Sequence, residues 1–339
     1  MFERTARTPG FSSALLVGAI LVLAACQTPA ATDDGAAESE AAESEAAEVQ
    51  RLTIATGGTG GVYFPLGGEL ALLLTEHIPG VQATAQETSA SVDNMLLIGS
   101  GDAHIAFVLG DTAADAVEGR GDDFEGSPID ACTIGILYSN FTQLVTTTGS
   151  GITSVEDMRG KRVSVGAPGS GTEIIALRIL EAAGIDPDAD ITRSQLLVDE
   201  TVQGLSDGTI DAGFWSGGLP TGALVEFAAG GDLALVPTAE YTQDLVDEYG
   251  PFYLEGEIPA DAYDGLDAAV PTIVVPNVLV VNNSMSEELQ HQITEVLFEQ
   301  KDALVTAHPA AEELDAATAG EVEFMDVCPG AQSYYDESS

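Results

Sequence analysis

One motif occurs twice in this sequence, and that duplication constrains the fold more than any other feature. Leu52 to Thr56 reads as a buried strand running into Gly57-Gly58-Thr59-Gly60-Gly61 and then an apolar helix, Val62 to Leu74. Lys161 to Val165 reads as a second strand, running into Gly166-Ala167-Pro168-Gly169-Ser170-Gly171-Thr172 and a helix from Glu173 to Ala183. The far ends of the units match too. Ile98 to Phe107 and Leu205 to Phe214 each give a helix end, a glycine at the C-cap and a buried strand. Strand, glycine loop, helix, strand, helix, strand is a parallel βαβαβ unit, because parallel neighbours need a helical crossover. Two copies predict an α/β protein with two lobes around a ligand cleft.

Two apolar extended stretches would carry the chain between the lobes: Thr133–Tyr138 continued by Gln143–Thr146, and Pro271–Val281. They give two hinge crossings. The expected boundaries are lobe 1 over 51–138, lobe 2 over 139–272, and a return to lobe 1 over 273–339. In the return, an amphipathic helix from Ser286 to Thr306, with Ser286 as its N-cap, packs back on the first lobe.

The chain ahead of the repeat has a different character. Arg4 and Arg7 precede an apolar run, Ala14 to Leu23, that is too short to span a bilayer, and Leu23-Ala24-Ala25-Cys26 closes it as a lipobox. Residues 1–25 therefore read as a lipoprotein signal peptide. The Cys26 thiol would take the diacylglyceryl group, which anchors the protein to the membrane and locates it outside the cytoplasm, in the periplasm or on the outer face. Residues 26–50, rich in Ala, Glu, Asp, Ser and Thr, lack the apolar surface to offset ordering and read as a disordered acidic tether.

The formal net charge of -45 excludes nucleic acid as a partner, because phosphate binding needs a basic surface. An acidic excess spread along the whole chain resembles adaptation to high salt, where screening weakens self-repulsion. Once Cys26 is lipidated, Cys132 and Cys328 are the remaining cysteines; in an oxidising compartment they are either a disulfide or two buried thiols.

Both glycine loops lie at the C-terminal ends of strands and lead into helix starts, where open α/β sheets bind ligands and unpaired amides attract anions. Neither loop is a nucleotide motif: no Gly-Lys-Ser/Thr follows, and Tyr63 stands where a Gly58-x-Gly60-x-x-Gly fingerprint needs glycine. Pro168 removes the nucleophile-elbow reading of Ser170. His77, His104, His291 and His308 show no ligand spacing, so neither a metal nor a cofactor is expected. Thr88 to Asn94 opens another helix, where its hydroxyls and amide serve as caps, as ligand contacts, or as both. Trp215, beside Gly217-Gly218, suits a cleft wall or the core. No basic residue falls in these motifs, so an acidic ligand would depend on helix amides and hydroxyls.

Four segments together resemble the TAXI family, the solute receptors of one branch of tripartite ATP-independent periplasmic (TRAP) transporters. They are Thr56 to Gly67, Thr88 to Asn94, Met158 to Thr172 and Phe214 to Gly222, and the similarity extends over Leu52 to Tyr335. The resemblance implies a type II periplasmic-binding-protein fold and no enzymatic activity. It implies hinge closure on a glutamate- or glutamine-like amino acid or small carboxylate, and delivery to a TRAP permease driven by an ion gradient. Ligand contacts would be Thr59, Tyr63, Ser91, Asn94, Asp111, Ser170, Thr172 and Trp215. One departure is Cys328 in Cys328-Pro329-Gly330-Ala331, where the family carries histidine, and it leaves Cys328 free to bond Cys132.

Overall fold

The computed structural model describes residues 49–338, so the signal peptide, the lipidation site Cys26 and the tether up to residue 48 lie outside the described residues. The tether expected to reach residue 50 ends earlier, because the first strand, β1, is Gln50–Ala55. The first repeat continues as α1 (Tyr63–His77), β2 (Val81–Gln86), α2 (Ser91–Ser100) and β3 (Ile105–Leu109), followed by α3 (Gly110–Glu118). Then comes β4 (Ala131–Thr147), and the second repeat runs β5 (Arg162–Ser164), α4 (Gly171–Ala182), β6 (Thr192–Ser194), α5 (Val198–Ser206) and β7 (Ala212–Gly217). α6 (Gly222–Ala229), β8 (Leu233–Val236), α7 (Thr242–Tyr249) and β9 (Leu254–Ile258) complete lobe 2. β10 (Val270–Asn282) leads into α8 (Glu287–Glu299), α9 (Lys301–Ala307) and α10 (Pro329–Ser338).

The strands form one sheet in the order β2-β1-β3-β10-β4-β7-β5-β6, with β8 on β4 and β9 on β10. β2, β1 and β3 are parallel, as are β6, β5 and β7, so the two halves repeat the same strand order. Every residue of β3 is buried, as expected of a parallel strand covered on both faces. Where the chain crosses between the halves, β4 and β10 pair antiparallel from Val274↔Phe141 to Asn282↔Ala131. β10 pairs β3 through Asn277–Val281, and β4 pairs β7 through Phe141–Thr146, so each long strand is shared by both lobes. This is a two-lobed α/β architecture in which two long strands pass between the halves. The first crossing, expected as two shorter pieces, is one 17-residue strand.

Separate cores hold the lobes. Ile54, Leu70, Leu74 and Phe107 pack with Ile293, Leu297 and Leu304 of the C-terminal return, and Val163, Val165, Ile175, Ile179 and Phe214 form the heart of lobe 2. At the ends of α2 and α5, Gly101 (φ 81) and Gly208 (φ 65) take the left-handed conformation that lets the chain turn back into a strand. The helix expected over Ser286–Thr306 is two helices. Ser286 Oγ caps the first by accepting from Leu289 N at 3.3 Å, and the break at Gln300 turns α9 onto α1. Lys301 fixes the new direction, its Nζ donating to the Glu312 and Leu314 carbonyls at 2.8 and 2.5 Å. Cys132 and Cys328 are joined by a disulfide, Cα atoms 5.1 Å apart, which ties the start of α10 to β4. Tyr335 Oη, from the same helix, donates to the Ile134 carbonyl at 2.9 Å.

Candidate functional site

The two glycine loops face each other across the sheet, and between them lies a cavity of about 30 Å³, room for about two water molecules. Lobe 1 contributes Gly58, Tyr63 and Ser91; lobe 2 contributes Ser170, Thr172 and Trp215; the shared strand β4 contributes Tyr138 and Asn140. The helices α1, α2 and α4 begin at residues lining this cavity, so three helix starts, each at the positive end of a helix dipole, open on one space. Ala90, just ahead of α2, holds φ 85, a left-handed value that costs a residue with a Cβ. The strain is confined to the cavity wall, and Thr88 Oγ1 steadies it by accepting from Ala90 N at 3.0 Å.

The lobes touch. Gly169 O, in the second glycine loop, accepts from both Val92 N and Asp93 N at 3.1 Å, so lobe 2 satisfies two amides at the start of α2. Glycine is needed where the walls meet: a Cβ on Gly61 would lie 2.9 Å from the Trp215 ring, and one on Gly171 would lie 2.8 Å from Ser91 Oγ. The lobes are in contact beside a cavity with room for about two waters, so a larger solute fits only if they part.

Tyr63, Ser91, Ser170, Thr172 and Trp215, proposed from the sequence, line the cavity. Tyr63 Oη bonds Asn277 Oδ1, and burial pushes the Tyr63 phenol far above its ordinary range, so it stays protonated. Ser91 Oγ accepts from Leu109 N, and Ser170 Oγ caps α4 by accepting from Glu173 N, each at 3.1 Å. Thr172 Oγ1 accepts from Ser216 N at 3.1 Å, and Trp215 Nε1 donates to Thr221 Oγ1 at 2.9 Å.

Three proposed contacts are placed elsewhere. Thr59 lies on a separate, outer depression with Asp199, Glu226 and His308. Asn94 is wholly buried as a clamp: its Nδ2 donates to the Thr56 and Phe107 carbonyls at 2.7 and 2.8 Å, and its Oδ1 accepts from Thr88 Oγ1 at 2.6 Å. Asp111 is wholly buried behind the cavity, with Tyr253 Oη donating to its Oδ2 at 2.8 Å and Thr112 N to its Oδ1 at 2.7 Å. Arg178 from α4 lies 3.5 Å from Asp111 and also pairs with Asp115, so this network joins α3 of lobe 1 to α4 of lobe 2. Burial pushes the Asp111 carboxyl up, while the Arg178 cation and the Tyr253 hydroxyl pull it down.

Sequence reasoning missed the residues with most to offer a ligand. Tyr138 Oη, Asn140 Oδ1 and Ser216 Oγ are buried, line the cavity, and take no hydrogen-bond partner among the described residues. A buried polar atom left unpaired costs about 1–3 kcal/mol, so these three are poised to gain from a bound group. Asn140 is one of several polar residues of β4, with Ser139, Thr142 and Gln143 beside it, so the sequence carried no signal that singles it out. The lining contains no Asp, Glu, Lys, Arg or His; its titratable groups are Tyr63 and Tyr138, both pushed up by burial.

A family model described as the NMT1-like family matches residues 54–338. Among solved structures, the chain is similar to the periplasmic aliphatic sulphonate binding protein SsuA from Escherichia coli, at 15% identity and TM-score 0.47, covering 85% of this chain and 83% of that one. It is also similar to the alkanesulfonate-binding protein SsuA from Xanthomonas axonopodis pv. citri, at 15% identity and TM-score 0.47, with coverages of 86% and 85%. A putative L-cystine ABC transporter protein from Listeria monocytogenes matches at 16% identity and TM-score 0.47, covering 82% of this chain and all of that one (100%).

Proposed function

This chain belongs to the NMT1-like family, and from that premise we propose that it is an extracytoplasmic solute receptor that closes its lobes on a small amino acid or carboxylate. The observation that carries the reading is the cavity itself: three buried, unpartnered polar atoms and three helix starts meet between two lobes, with no acid–base pair beside them. Tyr63 and Tyr138, its titratable groups, are held protonated by burial and offer no general base near neutral pH. A ligand carboxylate would take the first-turn amides of α4 and the Ser216 hydroxyl. Asn140 and Tyr138 would meet the other end.

In the finer form of the proposal, Cys26 carries the lipid anchor and the loaded receptor delivers its solute to a TRAP permease, as the TAXI resemblance implies. The test is a thermal-shift screen at molar salt against amino acids and small mono- and dicarboxylates. A solute at a hundred times its dissociation constant adds about 2.7 kcal/mol of stability. A shift with one acid, recovered unaltered, supports a receptor; consumption of the compound would make the protein an enzyme, and no shift at all would sink the reading. Uptake in proteoliposomes that needs ATP rather than an ion gradient would reassign the partner to an ATP-driven importer.

A further inference from the structure

The walls of the cavity differ in what they can pair with. At the lobe 2 end, Gly171 and Thr172 open α4, and the bond from Ser216 N to Thr172 Oγ1 sets the unpartnered Ser216 hydroxyl beside that helix start. Helix amides and a hydroxyl that can donate suit one carboxylate. At the hinge end, the unpartnered atoms are Asn140 Oδ1, which can only accept, and Tyr138 Oη. Asn140 Oδ1 favours an ammonium or amide N–H and disfavours a second carboxylate, for which the Tyr138 hydroxyl would be the single unpartnered donor at this end. The remaining surface is largely apolar, with Val62, Leu109, Leu196, Leu197 and Trp215. Arg178 is committed to Asp111 and Asp115 and lies outside the lining, so no cation is on hand for a second anion. Burying an ion without a partner is costly in a closed cavity, where salt does not screen it.

We infer that the cavity selects solutes with one carboxylate and no second anionic group, and discriminates against dicarboxylates of the same size. The inference rests on the receptor reading and narrows its ligand class. Glutamine is favoured over glutamate, asparagine over aspartate, and butyrate over succinate.

Titration calorimetry of the full chain in detergent, at molar salt and pH 7, tests these pairs. In every pair with a member that binds, the singly carboxylated member binds at least tenfold more tightly than its counterpart. A second arm at pH 4 separates charge from shape: the glutamate side chain, with an ordinary pKa of about 4.3, is then largely protonated, and its gap to glutamine narrows. Tyr63 and Tyr138 do not titrate over this range, and the affinity for glutamine at both pH values controls for Asp111 behind them. A dicarboxylate that binds as tightly as its counterpart, or a gap unchanged at pH 4, overturns the inference and leaves the receptor standing. If no member of any pair binds, the receptor reading falls and takes this inference with it.

Discussion

Replacing Arg178 by methionine tests what holds the lobes together behind the cavity. The Arg178 side chain is 11% exposed, and its two carboxylate partners, Asp111 and Asp115, are 0% and 6% exposed. The guanidinium also donates to Tyr253 Oη at 2.6 Å and lies 4.1 Å from the centre of the Tyr249 ring. Methionine keeps most of the apolar stem but leaves Asp111 buried without a cation, while Asp115 keeps its pair with Arg120 at 3.3 Å; an uncompensated buried charge costs about 3–5 kcal/mol. The melting temperature falls by on the order of 10 °C at pH 7.5. The loss depends on pH in a direction that can be fixed in advance. Without the cation, the folded-state pKa of Asp111 lies still further above its unfolded value. Stability from protonating Asp111 is then fully present below the unfolded pKa and lost as pH rises through the folded one. The deficit of Arg178→Met therefore shrinks on acidification, and Arg178→Met/Asp111→Asn recovers much of it at pH 7.5. Calorimetric melts at fixed molar salt and two pH values measure both effects. A loss below about 1 kcal/mol at pH 7.5, or a deficit unchanged by acid, would refute the assignment of this network as a buried electrostatic joint.

Removing the unpartnered cavity groups should separate binding from stability: Asn140→Ala or Ser216→Ala weakens solute binding about 5- to 30-fold, while the empty protein carrying Ser216→Ala melts within about 1 kcal/mol of the parent, because Ser216 Oγ has no hydrogen bond to lose. Calorimetry and melting curves read the two quantities independently, and an unaltered affinity would remove these atoms from the site. Cys132→Ser/Cys328→Ser opens a crosslink spanning 196 residues and costs about 3–5 kcal/mol, visible as a lowered melting temperature that reducing agent no longer changes. With a net charge of -45, the folded chain gains stability between dilute buffer and molar salt, and melting that is unchanged across that range would rule out the high-salt reading.

The architecture was legible because it is written twice: two glycine loops after two apolar strands leave little choice but two parallel lobes. The helix read from Glu173 starts two residues earlier, at Gly171, because Ser170 caps it, a role the sequence reading did not assign. The residues that went astray are those whose role depends on distant partners. Asn94 sits in a cluster suited to ligand contact, yet the carbonyls of Thr56 and Phe107 claim its amide. Asp111 begins a helix at the edge of the cleft, but Arg178 and Tyr253, remote in sequence, turn it into a structural ion. Tyr138 and Asn140 lie in a strand read only as a crossing, and nothing local tells which of its polar side chains meets a cavity. The break at Gln300 has no proline or glycine to mark it, and it is set by α9 packing on α1 and by the anchoring of Lys301.

The pairing of β4 with β10 has a mechanical consequence. Two antiparallel strands joined along their length behave as a ribbon, which bends readily out of its plane and resists sliding of one strand along the other, since sliding would break the ladder at every rung. In the proposed receptor the lobes would swing about this ribbon, so the width of the mouth and the face offered to a permease would both follow how far it is bent.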